Sequence, residues 1–140
     1  MKVYLTRRYL FSASHRLHSA ALSEETNREV YGKCNSPYGH GHNYFLEVTV
    51  SGRVAQQTGM ICDLGELDAT VEREVLGRFD HRNLNELQDF RGVVPTTESL
   101  AIRIRQILSQ VPLPAHLEGI RIEETAKNSF EYQGDEPPRR

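Results

Sequence analysis

The segment Cys34-Asn35-Ser36-Pro37-Tyr38-Gly39-His40-Gly41-His42-Asn43 sets a thiol and two imidazoles around one short loop bearing Pro and Gly. If the chain is extended after Gly39, side chains alternate faces, so His40 and His42 point the same way. Two imidazoles on one strand face are half of a metal site. His15 is the candidate for the third ligand. It ends the alternating run Tyr9-Leu10-Phe11-Ser12-Ala13-Ser14-His15, which also reads as a strand. Antiparallel pairing of the two strands makes the three imidazoles converge. That is the three-ligand pattern of a catalytic zinc, with a fourth position open for substrate. Cys34 is a possible fourth ligand, which would close the site and make it structural. The spacing alone leaves both readings open.

Composition sets the frame. At 140 residues, 38% hydrophobic and 26% charged, the chain suits one folded domain. We expect it over residues 1–134, with 135–140 as a disordered tail. A formal net charge of −2 gives no reason to expect nucleic acid or an anionic membrane as partner. No apolar run approaches the ~18 residues of a spanning segment, and Met1-Lys2-Val3-Tyr4 opens without a secretory pattern. Two cysteines, Cys34 and Cys62, make no disulfide framework, so a reducing cytoplasm is expected.

The elements that must position the histidines follow from periodicity. Residues 2–15 read as a long strand, with Val3, Leu5, Tyr9, Phe11 and Ala13 on one parity and Arg7 as the exception. Residues 16–39 read as an excursion carrying one short helix. That helix starts at Ser23-Glu24-Glu25-Thr26, is stopped by Gly32, and delivers Cys34 towards the histidines. Residues 42–53 form the second strand, with Tyr44, Leu46, Val48 and Val50 sharing the parity of His42. Asp63 with Glu66 in capping-box register opens a helix striped by Leu64, Leu67, Val71, Val75 and Phe79. Cys62 beside it reads as an inert packed thiol.

Asp80-His81-Arg82-Asn83-Leu84-Asn85 reads as a polar turn. Thr96-Thr97-Glu98-Ser99 opens a second long helix, ended by Pro112 and Pro114. Ile120, Ile122 and Glu124 alternate along a third strand, and Phe130 and Tyr132 mark a fourth. His18 and His116 read as surface residues. Arg16, Lys33 and Arg82 read as solvated charges. The order is α+β, with consecutive helices between strand pairs and open sheet edges that invite neighbouring subunits.

Five stretches, taken together, resemble the 6-pyruvoyltetrahydropterin synthase and 6-carboxytetrahydropterin synthase family over about residues 1–134. They are Phe11-Ser12-Ala13-Ser14-His15-Arg16-Leu17, Gly32-Lys33-Cys34, Gly39-His40-Gly41-His42-Asn43-Tyr44, Asp80-His81-Arg82-Asn83-Leu84 and Thr96-Thr97-Glu98. The resemblance implies a T-fold, in which an antiparallel four-stranded sheet with two helices on one side assembles into a barrel of subunits. It implies a homohexamer of two trimers, with active sites at subunit interfaces. It further implies Zn2+ on His15, His40 and His42, with Cys34 as a catalytic thiol rather than a ligand. Asp80 and His81 match the pair that works with that thiol. Glu124 matches the carboxylate that holds the pterin ring, and Thr96, Thr97 and Glu98 match the lining of the pterin pocket. The pattern departs at Ala126-Lys127-Asn128, where a more acidic or polar turn is expected.

The substrate so implied is 7,8-dihydroneopterin triphosphate, and the reaction is a lyase step that eliminates triphosphate. Within the family, a carboxy-type enzyme takes the same substrate to a different product. The five residues between Cys34 and His40, Asn35 to Gly39, resemble the pyruvoyl type.

Overall fold

The structure is a computed structural model and describes residues 1–135. The expected tail therefore lies, apart from Asp135, outside the described residues. Along the chain run β1 (Lys2–His15), α1 (Glu24–Tyr31), β2 (His40–Arg53), α2 (Leu64–Val71), β3 (Arg82–Asn83), α3 (Thr97–Ser109), β4 (His116–Thr125) and β5 (Asn128–Tyr132). They form one sheet in the order β3-β1-β2-β4-β5. All neighbours are antiparallel except β3, which adds parallel to β1 at Ala13 and Ser14.

The sheet is thus five-stranded and mixed, one strand more than the four expected. A two-residue strand shows no alternation, so a polar run such as Asp80–Asn85 conceals it. Two bonds fix it against β1: the Ser12 amide donates to Asp80 Oδ1 at 2.9 Å, and the His81 amide donates to the Ser12 carbonyl at 2.6 Å.

β1 and β2 pair along their whole lengths, and the register decides the site. His15 faces His40, Ala13 faces His42 and Phe11 faces Tyr44. The apolar face continues through Tyr9, Leu46, Val48, Ile120 and Ile122, all buried. Arg7, the charged exception on this face, is met by α2. Asp68 takes its guanidinium through two bonds of 3.0 and 2.8 Å and accepts from Tyr9 Oη at 2.8 Å. The Arg7 bonds come first among the causes that hold Asp68 below the usual carboxylate range. Val3, expected on the buried face, is exposed at the open end of β1.

The expected caps are present. The Ser23 hydroxyl accepts from the Thr26 amide at 3.1 Å, the Asp63 carboxylate from Glu66 at 3.2 Å, and the Thr96 hydroxyl from Ser99 at 3.1 Å. α3 buries Leu100, Ala101, Ile104, Ile107 and Leu108 in the same core cluster as the sheet's apolar face. The other helix buries Leu67, Val71, Val75 and Phe79, which are four residues apart each time. A regular α-helix repeats every 3.6 residues, so such a stripe drifts around it. The structure takes up the drift with a π turn at Glu72–Leu76 before a last α turn at Gly77–Phe79. There the Gly77 amide reaches back five residues to Glu72.

Candidate metal centre and active site

The ligand atoms of His15, His40 and His42 all lie within 4.8 Å of one another. Each ring's Nε2 is buried and has no hydrogen-bond partner. His15 shows how the sequence prepares this. Its ring is 1% exposed, and Nδ1 lies 2.8 Å from the Pro95 carbonyl, just before α3. A carbonyl can only accept, so Nδ1 carries the proton and Nε2 presents a lone pair. Burial, ahead of every other influence, holds His15 and His42 below the ordinary histidine value. Neutral imidazole is the form that ligates. Leaving one buried polar atom unpaired costs about 1–3 kcal/mol, so three aimed at one point fit a cation. Among the described residues no other group of three or more ligating side chains gathers in this way.

Cys34 stands outside that set of three candidate ligands. Its carbonyl accepts from the Leu17 amide at 2.8 Å, which holds the turn Gly32–Asn35 against the end of β1. The thiol is half-buried. Burial, and then the Glu124 carboxylate, push it above its ordinary value. Both influences oppose ionisation, so a thiolate here needs a cation brought to the site.

Glu124, at the end of β4, points inward as its parity predicts. One carboxylate oxygen is 3.3 Å from His42 Nε2, out of line for a hydrogen bond, and 4.0 Å from His15 Nε2. Two buried hydroxyls without partners, on Tyr44 and Thr97, belong to the same neighbourhood. Thr97 lies close enough to influence the phenol, yet neither hydroxyl completes a well-formed bond. The Tyr44 ring stacks on Phe11 at 5.1 Å and meets the His42 ring edge-on at 5.6 Å. Burial pushes its phenol up. Sequence reasoning read Tyr44 as core only; its parity with His42 was the available signal. Nothing in the sequence marked the Pro95 carbonyl.

A sequence profile of the family described as 6-pyruvoyl tetrahydropterin synthase matches residues 4–135. The chain belongs to that family. It is 50% identical over 134 residues to the 6-pyruvoyl tetrahydrobiopterin synthase of Poecilia reticulata, covering 94% of this chain and 90% of the relative. It is 42% identical to the Homo sapiens protein of the same name, covering 94% and 91%. The solved structure of Caenorhabditis elegans 6-pyruvoyl tetrahydropterin synthase superposes with a TM-score of 0.89 at 42% identity, covering 96% of this chain and 97% of that one.

Not all the residues matched to the 6-pyruvoyl tetrahydropterin synthase family converge in one chain. Asp80 and His81 form a pair, with His81 Nδ1 2.9 Å from Asp80 Oδ1. The His81 side chain is 82% exposed. It lines a depression with Ser12, Ser14 and Asn43, whose strand parity is opposite to that of His15 and His42, and His42 borders the same depression. Its φ of 59° is the one positive value at a non-glycine among the described residues, a conformation usually found where surroundings impose it. Thr96 caps α3, Thr97 turns inward, and Glu98 is exposed. One chain therefore gathers His15, His40, His42, Glu124, Thr97 and Cys34, and presents Asp80, His81 and Glu98 elsewhere.

Gly39 sets the spacing between the two ligand strands. Its φ is 69°, and a Cβ there would lie 2.7 Å from the His15 carbonyl oxygen. Gly39→Ala is expected to cost about 1–2 kcal/mol for the left-handed backbone alone and to push His15 away from His40. Metal affinity should fall by about tenfold or more, on the scale of losing a supporting partner. Competition with a chromogenic chelator reads this directly; an unchanged affinity would show that the close approach does not position the ligands.

Proposed function

We propose that the chain converts 7,8-dihydroneopterin triphosphate to 6-pyruvoyltetrahydropterin with elimination of triphosphate, as a carbon–oxygen lyase. The observation that carries this is the meeting of three partnerless imidazole nitrogens with the Glu124 carboxylate, which is near enough to Cys34 to act on its thiol. Relatives named for the pyruvoyl product, matched over nine-tenths of the chain, support it.

His15, His40 and His42 would hold Zn2+, which when bound supplies a Lewis acid next to a side-chain hydroxyl of the substrate. The protein's own groups then have distinct tasks. Glu124 accepts hydrogen bonds from the amino-pyrimidine edge of the pterin, which satisfies a carboxylate that is otherwise poorly paired. Thr97, with its free hydroxyl, lines the same pocket, and Thr96 keeps the helix start in place. Cys34, once deprotonated, takes a carbon-bound proton at Sγ, a contribution of about 10²–10⁴ in rate. Asp80 orients His81 through Nδ1, leaving Nε2 to exchange a proton with a reacting group.

Asp80 sits at the β1 edge and His81 turns out to solvent, away from the buried histidine cluster of the same chain. We therefore assign them, with Glu98, to the site of a neighbouring subunit in a homohexamer of two trimers. The free thiols at Cys34 and Cys62 favour the cytoplasm as compartment. Among the described residues no helix is long and apolar enough to cross a membrane.

Incubation with 7,8-dihydroneopterin triphosphate, with and without a chelator, tests the reading. Mass spectrometry should show the pyruvoyl compound and free triphosphate, both lost on chelation and restored by zinc. A carboxy product accompanied by a two-carbon aldehyde would overturn it in favour of the other family activity.

A further inference from the structure

Behind the turn that carries Cys34 lies a cavity of about 320 Å³ between the end of β1, α1 and the residues after it. Arg16, His18, Arg28 and Lys33 line it, with Glu24 as the one carboxylate. Several arginines elsewhere are matched, Arg7 with Asp68, Arg8 with Glu123, Arg78 and Arg103 with Asp89, Arg121 with Glu47, while the unpaired Arg53, Arg82, Arg91 and Arg105 stand away from this hollow. Among the described residues Arg16, Arg28 and Lys33 make no such pair. Three unmatched cations around one hollow, in a chain of net charge −2, form a local field that draws a multiply charged anion.

The lining is built rather than incidental. Asn35, 6% exposed, organises two of the groups. Its carbonyl accepts from Arg16 Nε at 3.1 Å, which fixes the guanidinium and leaves its terminal nitrogens free. Its side-chain amide donates to the Leu17 carbonyl at 2.7 Å and lies 3.1 Å from His18 Nδ1. The amide nitrogen can only donate, so His18 Nδ1 accepts and Nε2 carries a hydrogen towards a ligand. Gly32, with φ 56° at the end of α1, turns the chain so that Arg28 and Lys33 reach the same hollow. Arg16 directly follows the candidate ligand His15, and Lys33 and Asn35 flank Cys34, so the cavity adjoins the turn that carries the thiol.

We propose that this cavity is a polyphosphate subsite, in which Arg16, Arg28, Lys33 and His18 Nε2–H hold a chain of phosphoryl groups. Guanidinium groups bind phosphate oxygens in pairs and an ammonium adds a compact charge. That the polyphosphate is the substrate's own triphosphate rests on the function proposed above. The subsite would then anchor the leaving group on one side of the Cys34 turn while the ring is held on the other.

Isothermal titration with inorganic tripolyphosphate tests the subsite without any turnover. Binding is expected for the wild-type chain, weakening steeply as salt rises. Arg28→Gln and Lys33→Gln should each weaken it about tenfold or more, with circular dichroism and zinc content unchanged and Lys33→Arg restoring part of the affinity. In turnover, the same variants should raise KM for the triphosphate more than they lower kcat, and leave affinity for unphosphorylated dihydroneopterin unaltered. Tripolyphosphate binding that ignores both charges, or equal losses for both pterins, would overturn the subsite while the proposed reaction could still stand. Charge-dependent tripolyphosphate binding without any triphosphate elimination would keep the subsite and remove the reaction.

Discussion

His42→Ala should lose its zinc and all measurable turnover while keeping its fold. A group that merely supports a ligand is worth about 10–100-fold in metal affinity, so deleting one of three ligands should cost at least about 100-fold. Its ring meets Tyr44 edge-on and otherwise packs on the two other candidate ligands, His15 and His40, and alanine continues the strand opposite Ala13. Far-UV circular dichroism should therefore be preserved. Metal per chain, measured after gel filtration, is the deciding quantity. A variant that holds stoichiometric zinc would remove His42 from the ligand set and with it the open three-ligand site. In the same assay Cys34→Ala should keep its metal, because the thiol lies outside the histidine cluster. Loss of zinc there would restore the closed structural reading.

Cys34→Ala and His81→Ala should each lower turnover by about 10²–10⁴, yet recover activity when the two are assembled together. If each site takes its thiol from one chain and its Asp80–His81 pair from a neighbour, equal mixing leaves about a quarter of sites with both native groups. Co-expression of the two variants, followed by a specific-activity measurement, reads this out. No recovery would mean that one chain supplies both groups, and that the separated arrangement seen here rearranges during the reaction. The expected gain is large against a background about a hundredfold or more lower, so partial mixing still decides the question.

Much of this arrangement was legible in the residues because two periodicities reinforce each other. The alternation of Tyr9 to His15 and of His42 to Val50 gave both strands and the face of each histidine. The caps at Ser23, Asp63 and Thr96 gave the helix starts, because a side-chain oxygen before an apolar stripe has few other uses. What stayed hidden has one cause: it depends on backbone groups or on distant partners. The carbonyl of Pro95 that orients His15, and the bonds that make a strand of Arg82 and Asn83, carry no side-chain signature. His18 read as a surface residue because its partner Asn35 is seventeen positions away. Arg16 and Lys33 read as solvated charges because the hollow they share with Arg28 is formed by the Asn35 bond to Arg16 and by the turn at Gly32, neither of which has a periodic signature. The pair Asp80–His81 was recognisable as a unit, but its face was not, because His81 adopts a backbone conformation that no periodicity anticipates. The π turn was written into the four-residue spacing of Leu67, Val71, Val75 and Phe79, which a plain helical stripe does not have.

The bond from His15 to the Pro95 carbonyl joins residues eighty positions apart. Until the second half of the chain has been made and has docked, no protein group holds that ring in the ligating tautomer, and Glu124 is later still. Tight ion capture is therefore expected late in maturation: a truncated chain ending before Pro95 has the three imidazoles in its sequence but lacks the carbonyl that holds the first of them ready.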